Sequence, residues 1–268
     1  MPKDTKTEDN VRRSEMSPGT RRFLAAFVLF IAPALFMGWW ILDGSTTWPR
    51  TLRCRRVVVV DTPEGQRSGS NVVEEKIHFL GGMTRALGNA VRGEGLGEAT
   101  IVDLGSRGFL FATVANEKAL ASGRIEFFDD CEAPFPREKF SRKQAGATDQ
   151  EYVDYLDELN RQKPKGDVPF KDLPMLVRFR DLNDPASVER VDPFDFAASF
   201  GPGVKLDHMS VEITDVAVTR GIEAVLPWLL RGEAQRLIPP PPGVLSGLPL
   251  VNKLTDLDFR RLPGSGYR

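Results

Sequence analysis

The longest apolar run in the chain is Phe23–Leu42, FLAAFVLFIAPALFMGWWIL, without a charge or an Asn, Gln, Ser or Thr. At about 1.5 Å rise per residue such a run spans about 30 Å, the hydrocarbon thickness of a bilayer. A core helix of that length would keep one polar face for water. The run has none, and it predicts a transmembrane helix over residues 23–42. Arg21 and Arg22 flank one end, with Trp39, Trp40 and Trp48 at the other, in the manner of interfacial anchors. Pro33 interrupts one internal hydrogen bond, which bilayer helices tolerate.

Two other readings of this segment compete. Ala32-Pro33-Ala34 offers a signal-peptidase pattern, but the apolar run continues to Leu42 and an N-terminal region of 22 residues precedes it. Thr20-Arg21-Arg22-Phe23-Leu24 resembles a twin-arginine export signal but lacks the residue between the arginines and the Phe-Leu pair. The uncleaved anchor fits length and flanks best. Six Lys/Arg precede it, two of them abutting the membrane. That pattern predicts a cytoplasmic N-terminus and an exported remainder, which in a bacterium is periplasmic.

Residues 1–22 hold one Val and two Met as their bulky apolar side chains and predict disorder. Beyond the anchor, short β-branched runs dominate. Leu52–Asp61 and Asn71–Phe79 predict a long hairpin around Thr62-Pro63-Glu64-Gly65. Glu98–Leu104 and Phe109–Val114 predict a second hairpin around Gly105-Ser106-Arg107-Gly108. Residues 81–97 carry six glycines and predict irregular chain, and Ile125–Asp129 predicts a short strand. Thr148 and Glu151 form a capping box ahead of Tyr152, Tyr155, Leu156 and Leu159 at helical spacing, which predicts a helix over 149–162. Met175–Arg180 and Ser187–Val191 predict paired strands. Val204–Thr214 predicts a strand with His208 and Ser210 on one face and Asp207 and Met209 on the other. Gly221–Leu226 predicts a short helix, and Pro239–Pro242 a polyproline linker.

The expected fold is therefore α+β and β-rich: one N-terminal transmembrane helix, then an exported domain of antiparallel hairpins with one or two short helices. The domain boundaries are a cytoplasmic 1–22, the helix 23–42, a periplasmic domain 43–230, and a Pro-rich linker and tail 231–268.

Composition narrows the function classes. With Lys+Arg 36 against Asp+Glu 37, no global basic field draws in nucleic acid. Two cysteines and two histidines exclude a disulfide scaffold and a four-cysteine zinc site. No nucleophile elbow, Walker loop or His-Glu-x-x-His motif is present, so no catalytic residue, cofactor or metal ligand is assigned. Asp207, His208 and Ser210 suggest a triad, yet strand neighbours point to opposite faces and Asp207 should not reach His208. Asp129, Asp130 and Glu132 read as a solvated loop, lacking calcium-loop spacing. Trp228-Leu229-Leu230 reads as core rather than as a membrane-surface patch.

Cys54 and Cys131 lie on the same side of the apolar helix. In an oxidising periplasm they are a candidate disulfide, and two separate thiols are the other reading.

Thr62–Ser70 (TPEGQRSGS), Ser187–Pro193 (SVERVDP), Val211–Asp215 (VEITD) and Val218–Leu229 (VTRGIEAVLPWL) resemble segments of uncharacterised membrane-anchored proteins of Alphaproteobacteria. The resemblance implies a bacterial origin and transfers no site residue. The expected function is a single-pass inner-membrane protein with a periplasmic binding or scaffolding domain. Its expected partners are bilayer lipid, through residues 23–42, and an envelope protein. The alternative is an envelope hydrolase whose carboxylates converge only in the fold.

Overall fold

A computed structural model describes residues 31–42, 47–79, 91–116, 131–135, 149–231, 236–243 and 247–261. The chain divides into two units, 1–45 with 80–90 and 46–79 with 91–268. In the first, the described element is helix α1, Ala32–Leu42 (APALFMGWWIL), which leaves Leu35, Phe36, Met37 and Trp39 exposed. It covers the second half of the expected span, and residues 23–30 lie outside the described residues. Among the described residues no helix is long and apolar enough to cross a membrane.

The second unit is β-rich, with antiparallel sheets and few helices. It is built from β1 (Thr47–Thr62), β2 (Gly65–Phe79), β3 (Val91–Glu98), β4 (Thr100–Asp103) and β5 (Phe109–Asn116). Helix α2 (Asp149–Gln162), β6 (Lys165–Asp167), β7 (Pro174–Phe179) and β8 (Val188–Arg190) follow, then α3 (Phe196–Phe200), β9 (Lys205–Ile213) and β10 (Arg260–Arg261). One sheet runs β10-β3-β2-β1-β9-β6 and the other β4-β5-β7-β8. The chain changes sheets at Ala99, between β3 and β4.

The β1–β2 hairpin turns at Pro63–Glu64. The Thr62 hydroxyl donates to the Gly65 carbonyl (2.7 Å) and accepts from Glu64 N–H (3.2 Å), and Gly65 takes a φ of 116° that suits glycine. Arg107 braces the tip from the β4–β5 loop with Nη2 and Nε on the two Glu64 oxygens, at 2.8 and 3.2 Å. These bonds pull the Glu64 carboxyl down from 4.5 to about 2.

Three layers stack. On the inner face of the six-stranded sheet, Leu52, Cys54, Val58 and Val60 of β1 and Val73, Ile77 and Phe79 of β2 pack with Leu110, Ala112 and Leu176 of the four-stranded sheet. Tyr155, Leu156 and Leu159 of α2 join this core, as the helical spacing predicts. The other face of the four-stranded sheet carries Phe111, Met175, Val177 and Phe179. It is covered by Ile222, Leu226, Leu229, Leu237, Leu254 and Phe259.

Several expectations need correction. Val91–Glu98 is a strand, not irregular chain: it pairs with β2 from Glu74↔Leu96 to Phe79↔Val91. One of its glycines is required by crowding, since a Cβ on Gly97 would lie 2.6 Å from Val73 Cγ1. Within the expected linker and tail, Leu237, Leu254 and Phe259 are buried in the second core. Pro239–Pro242 within that stretch are exposed, as expected. The expected short helix near Gly221 is two 3-10 turns, Ile222–Ala224 and Pro227–Arg231, divided where Pro227 lacks the amide hydrogen to continue the first. The strand expected at Ile125–Asp129 and the cap at Thr148 lie outside the described residues.

One core position is a cation. Arg56 lies on the inner face of β1, fully buried, and its Nη2 donates to the carbonyls of Ala112 (3.1 Å) and Thr113 (3.0 Å) on β5. The β5–β7 register is irregular between Ala112 and Asn116, beside these carbonyls.

Candidate functional site

The outer face of the six-stranded sheet is polar, and register decides which polar residues meet. Arg53 stands opposite Glu74 and Thr51 opposite Lys76. After β9, Thr214 N–H bonds the Arg53 carbonyl (2.9 Å) on one side of β1. Thr219 then exchanges bonds with Val72 N–H and C=O on the side of β2 away from β1, at 2.9 and 3.1 Å. Residues 215–218 therefore cross over the outer face. On one side of this crossing, Thr51, Arg53, Glu74, Lys76, Asn160, Thr214 and Asp215 line an open cleft of about 300 Å³.

Each side chain in the cleft has an identifiable anchor. Glu74 is almost wholly buried and receives Arg53 Nε at 2.6 Å, with Lys76 Nζ 3.7 Å from its other oxygen. Asn160, on the last turn of α2, donates to the Thr51 carbonyl (3.0 Å), and Arg50 pairs with Asp157 (2.8 Å), so the helix is docked at the mouth. Asp215 is held by Lys163. Both carboxylates lining the cleft are thus engaged by cations.

Further along the same face, β9 breaks its alternation. Val59 pairs with His208 and Val60 with Leu206, so Asp207 is an inserted residue. This bulge corrects the expectation that Asp207 and His208 point apart. Both face outward, between the buried Leu206 and Met209, and His208 Nδ1 lies 3.0 Å from Asp207 Oδ2. Gln66 bridges Asp207 and Asp61 at 3.4 and 3.2 Å, and Lys205 pairs with Asp61. Ser210 shares the face but is 1% exposed, and a covered hydroxyl offers a substrate no approach. Among the described residues no group of three or more His, Cys, Asp or Glu converges to hold a metal ion.

The structure brings Cys54 and Cys131 together as a disulfide between residues 77 apart in sequence. Glu75 beside it accepts from Cys131 N–H (3.2 Å), and Tyr152 OH donates to Glu132 (2.6 Å), so residues 131–135 are fastened to both β2 and α2. Asp129 and Asp130 lie outside the described residues. Trp228 packs on Phe179 and Phe259 while its Nε1 donates to the Leu182 carbonyl (3.0 Å).

Sequence reasoning did not find the cleft, although one signal for it was present. A two-residue turn at Pro63–Glu64 sets Thr62 opposite Gly65, and counting nine residues back along each strand sets Arg53 opposite Glu74. Comparison with protein-family models, curated proteins and solved structures finds no match to this chain. The site is therefore read from its own geometry.

Proposed function

We propose that the chain is a membrane-tethered binding module of a bacterial envelope, held in the inner membrane by residues 23–42 with residues 43–268 in the periplasm. The observation that carries this reading is the Cys54–Cys131 disulfide, because such bonds persist in oxidising compartments and are rare in the cytosol. The uncharged sequence of α1, with its exposed Leu35, Phe36 and Trp39, supports lipid as the surroundings of that segment.

Binding, rather than turnover, fits the cleft. Its two carboxylates are held by cations, and no hydrogen-bonded nucleophile and base face each other among its lining residues. What it offers is oriented donors on a rigid sheet, with envelope solutes or the polar surface of an envelope protein as its partners.

Topology tests the reading. Alkaline phosphatase fused after Arg268 should be active, and full-length protein should stay in carbonate-washed membranes. Cys54 and Cys131 should resist maleimide until a reductant is added. A silent phosphatase fusion together with a bright cytoplasmic fluorescent one, and thiols that label without reductant, would refute it.

A further inference from the structure

We propose that the cleft is a receptor for the carboxylate group of a small polar ligand, with Arg53 and Lys76 as its recognition residues. This deepens the binding reading above and rests on it only in taking binding as the activity.

The argument is a count of donors and acceptors. Arg53 spends its Nε on Glu74 at 2.6 Å, and neither terminal nitrogen makes a bond to the described residues. Lys76 Nζ stands 3.7 Å from Glu74, outside hydrogen-bond reach. Both side chains open to the cleft, at 40% and 50% exposure, whereas Glu74 between them is 6% exposed. Glu74 thus fixes the guanidinium plane from beneath without competing for its outer edge. The edge that remains is a planar fork of N–H donors, which matches the two oxygens of a carboxylate.

Size and lining narrow the ligand further. About 300 Å³ is at the small end of small-molecule sites. The lining has no large apolar side chain, so the ligand is polar throughout. Asn160 uses its amide nitrogen on the Thr51 carbonyl, which leaves its side-chain oxygen to accept from a ligand N–H or O–H. A carboxylate with an adjacent amide or hydroxyl satisfies both ends.

Three probes separate the outcomes on the full-length protein in detergent micelles, by isothermal titration calorimetry. They are N-acetylglycine, its neutral amide and inorganic phosphate. N-acetylglycine should bind, weaken at least tenfold in Arg53→Gln and also weaken in Lys76→Gln, and lose affinity as salt is raised. The amide should not bind. Arg53→Gln leaves the buried Glu74 without its partner, so each variant is first checked by thermal melting. The exposed Lys76→Gln keeps the test decisive should the first variant unfold. Equal binding of acid and amide, undiminished binding in Lys76→Gln, or binding of phosphate with the acid silent would each overturn the proposal. The topology result is unaffected by any of these, so failure here and failure of the envelope assignment are told apart.

Discussion

A Cβ placed on Gly69 would fall 1.8 Å from the carbonyl oxygen of Ile101. The two sheets meet here backbone to backbone, and Asn71 secures the same contact by donating to the Glu98 carbonyl and accepting from the Thr100 hydroxyl. The obstacle is main chain of β4, which cannot swing aside as a side chain can. Gly69→Ala should therefore cost about 3 kcal/mol or more, the upper end of overpacking penalties. Denaturant midpoints of the two proteins measure it, and a change under 1 kcal/mol would contradict the close approach.

Arg56→Met should also destabilise, by about 2–4 kcal/mol, because the Ala112 and Thr113 carbonyls lose a donor that water cannot replace between the sheets. Methionine preserves much of the volume, so the loss reports hydrogen bonding rather than a cavity. Equilibrium unfolding with an unchanged m-value is the check.

Cys54→Ser with Cys131→Ser should lower stability by about 4 kcal/mol, the loop-entropy expectation for a bridge between residues 77 apart. Reduction of the wild type should move the melting temperature the same way. Equal melting with and without reductant would show that the bridge contributes nothing.

Glu64 tests electrostatics at the hairpin tip. Its carboxyl is pulled below the ordinary 4.5 to about 2, first by the side-chain hydrogen bonds of Arg107. A lowered folded value means that the pair's contribution is present above pH 4.5 and fades as the pH falls towards 2. Carbon-detected NMR should place the Glu64 midpoint near 2, and Arg107→Gln should return it towards 4.5. Added salt should narrow the difference, since the pair is exposed.

Local signals are legible where one element carries its own pattern. The Val57–Val60 run with its Pro-Glu turn, the strands either side of residues 105–108, and the α2 stripe of Tyr155, Leu156 and Leu159 all declare themselves in sequence. What escaped depends on partners. β3 resembles loop because Gly93, Gly95 and Gly97 are poor strand formers, yet β2 supplies a long template for it. Leu237, Leu254 and Phe259 show no period because 3-10 turns and prolines carry them to the sheet. The Asp207 bulge inserts one residue, and alternation read from either end of β9 then misplaces the other. Arg56 is one of four arginines within residues 50–56 and looks like surface until its face is known. The cleft was hidden because β1, β2, α2 and the stretch after β9 each contribute only one or two residues.

The position of β1 has a mechanical consequence. It lies between β2 and β9, antiparallel to both, paired with β2 from Thr47↔Phe79 to Thr62↔Gly65 and with β9 from Cys54↔Ile213 to Asp61↔Lys205. A tension applied at Thr47 and resisted at the far end of the domain runs along this strand. It loads both ladders in shear, so their bonds must yield together rather than peel apart one by one. The strand that enters the domain from the apolar helix in sequence is thus the one best placed to bear a load.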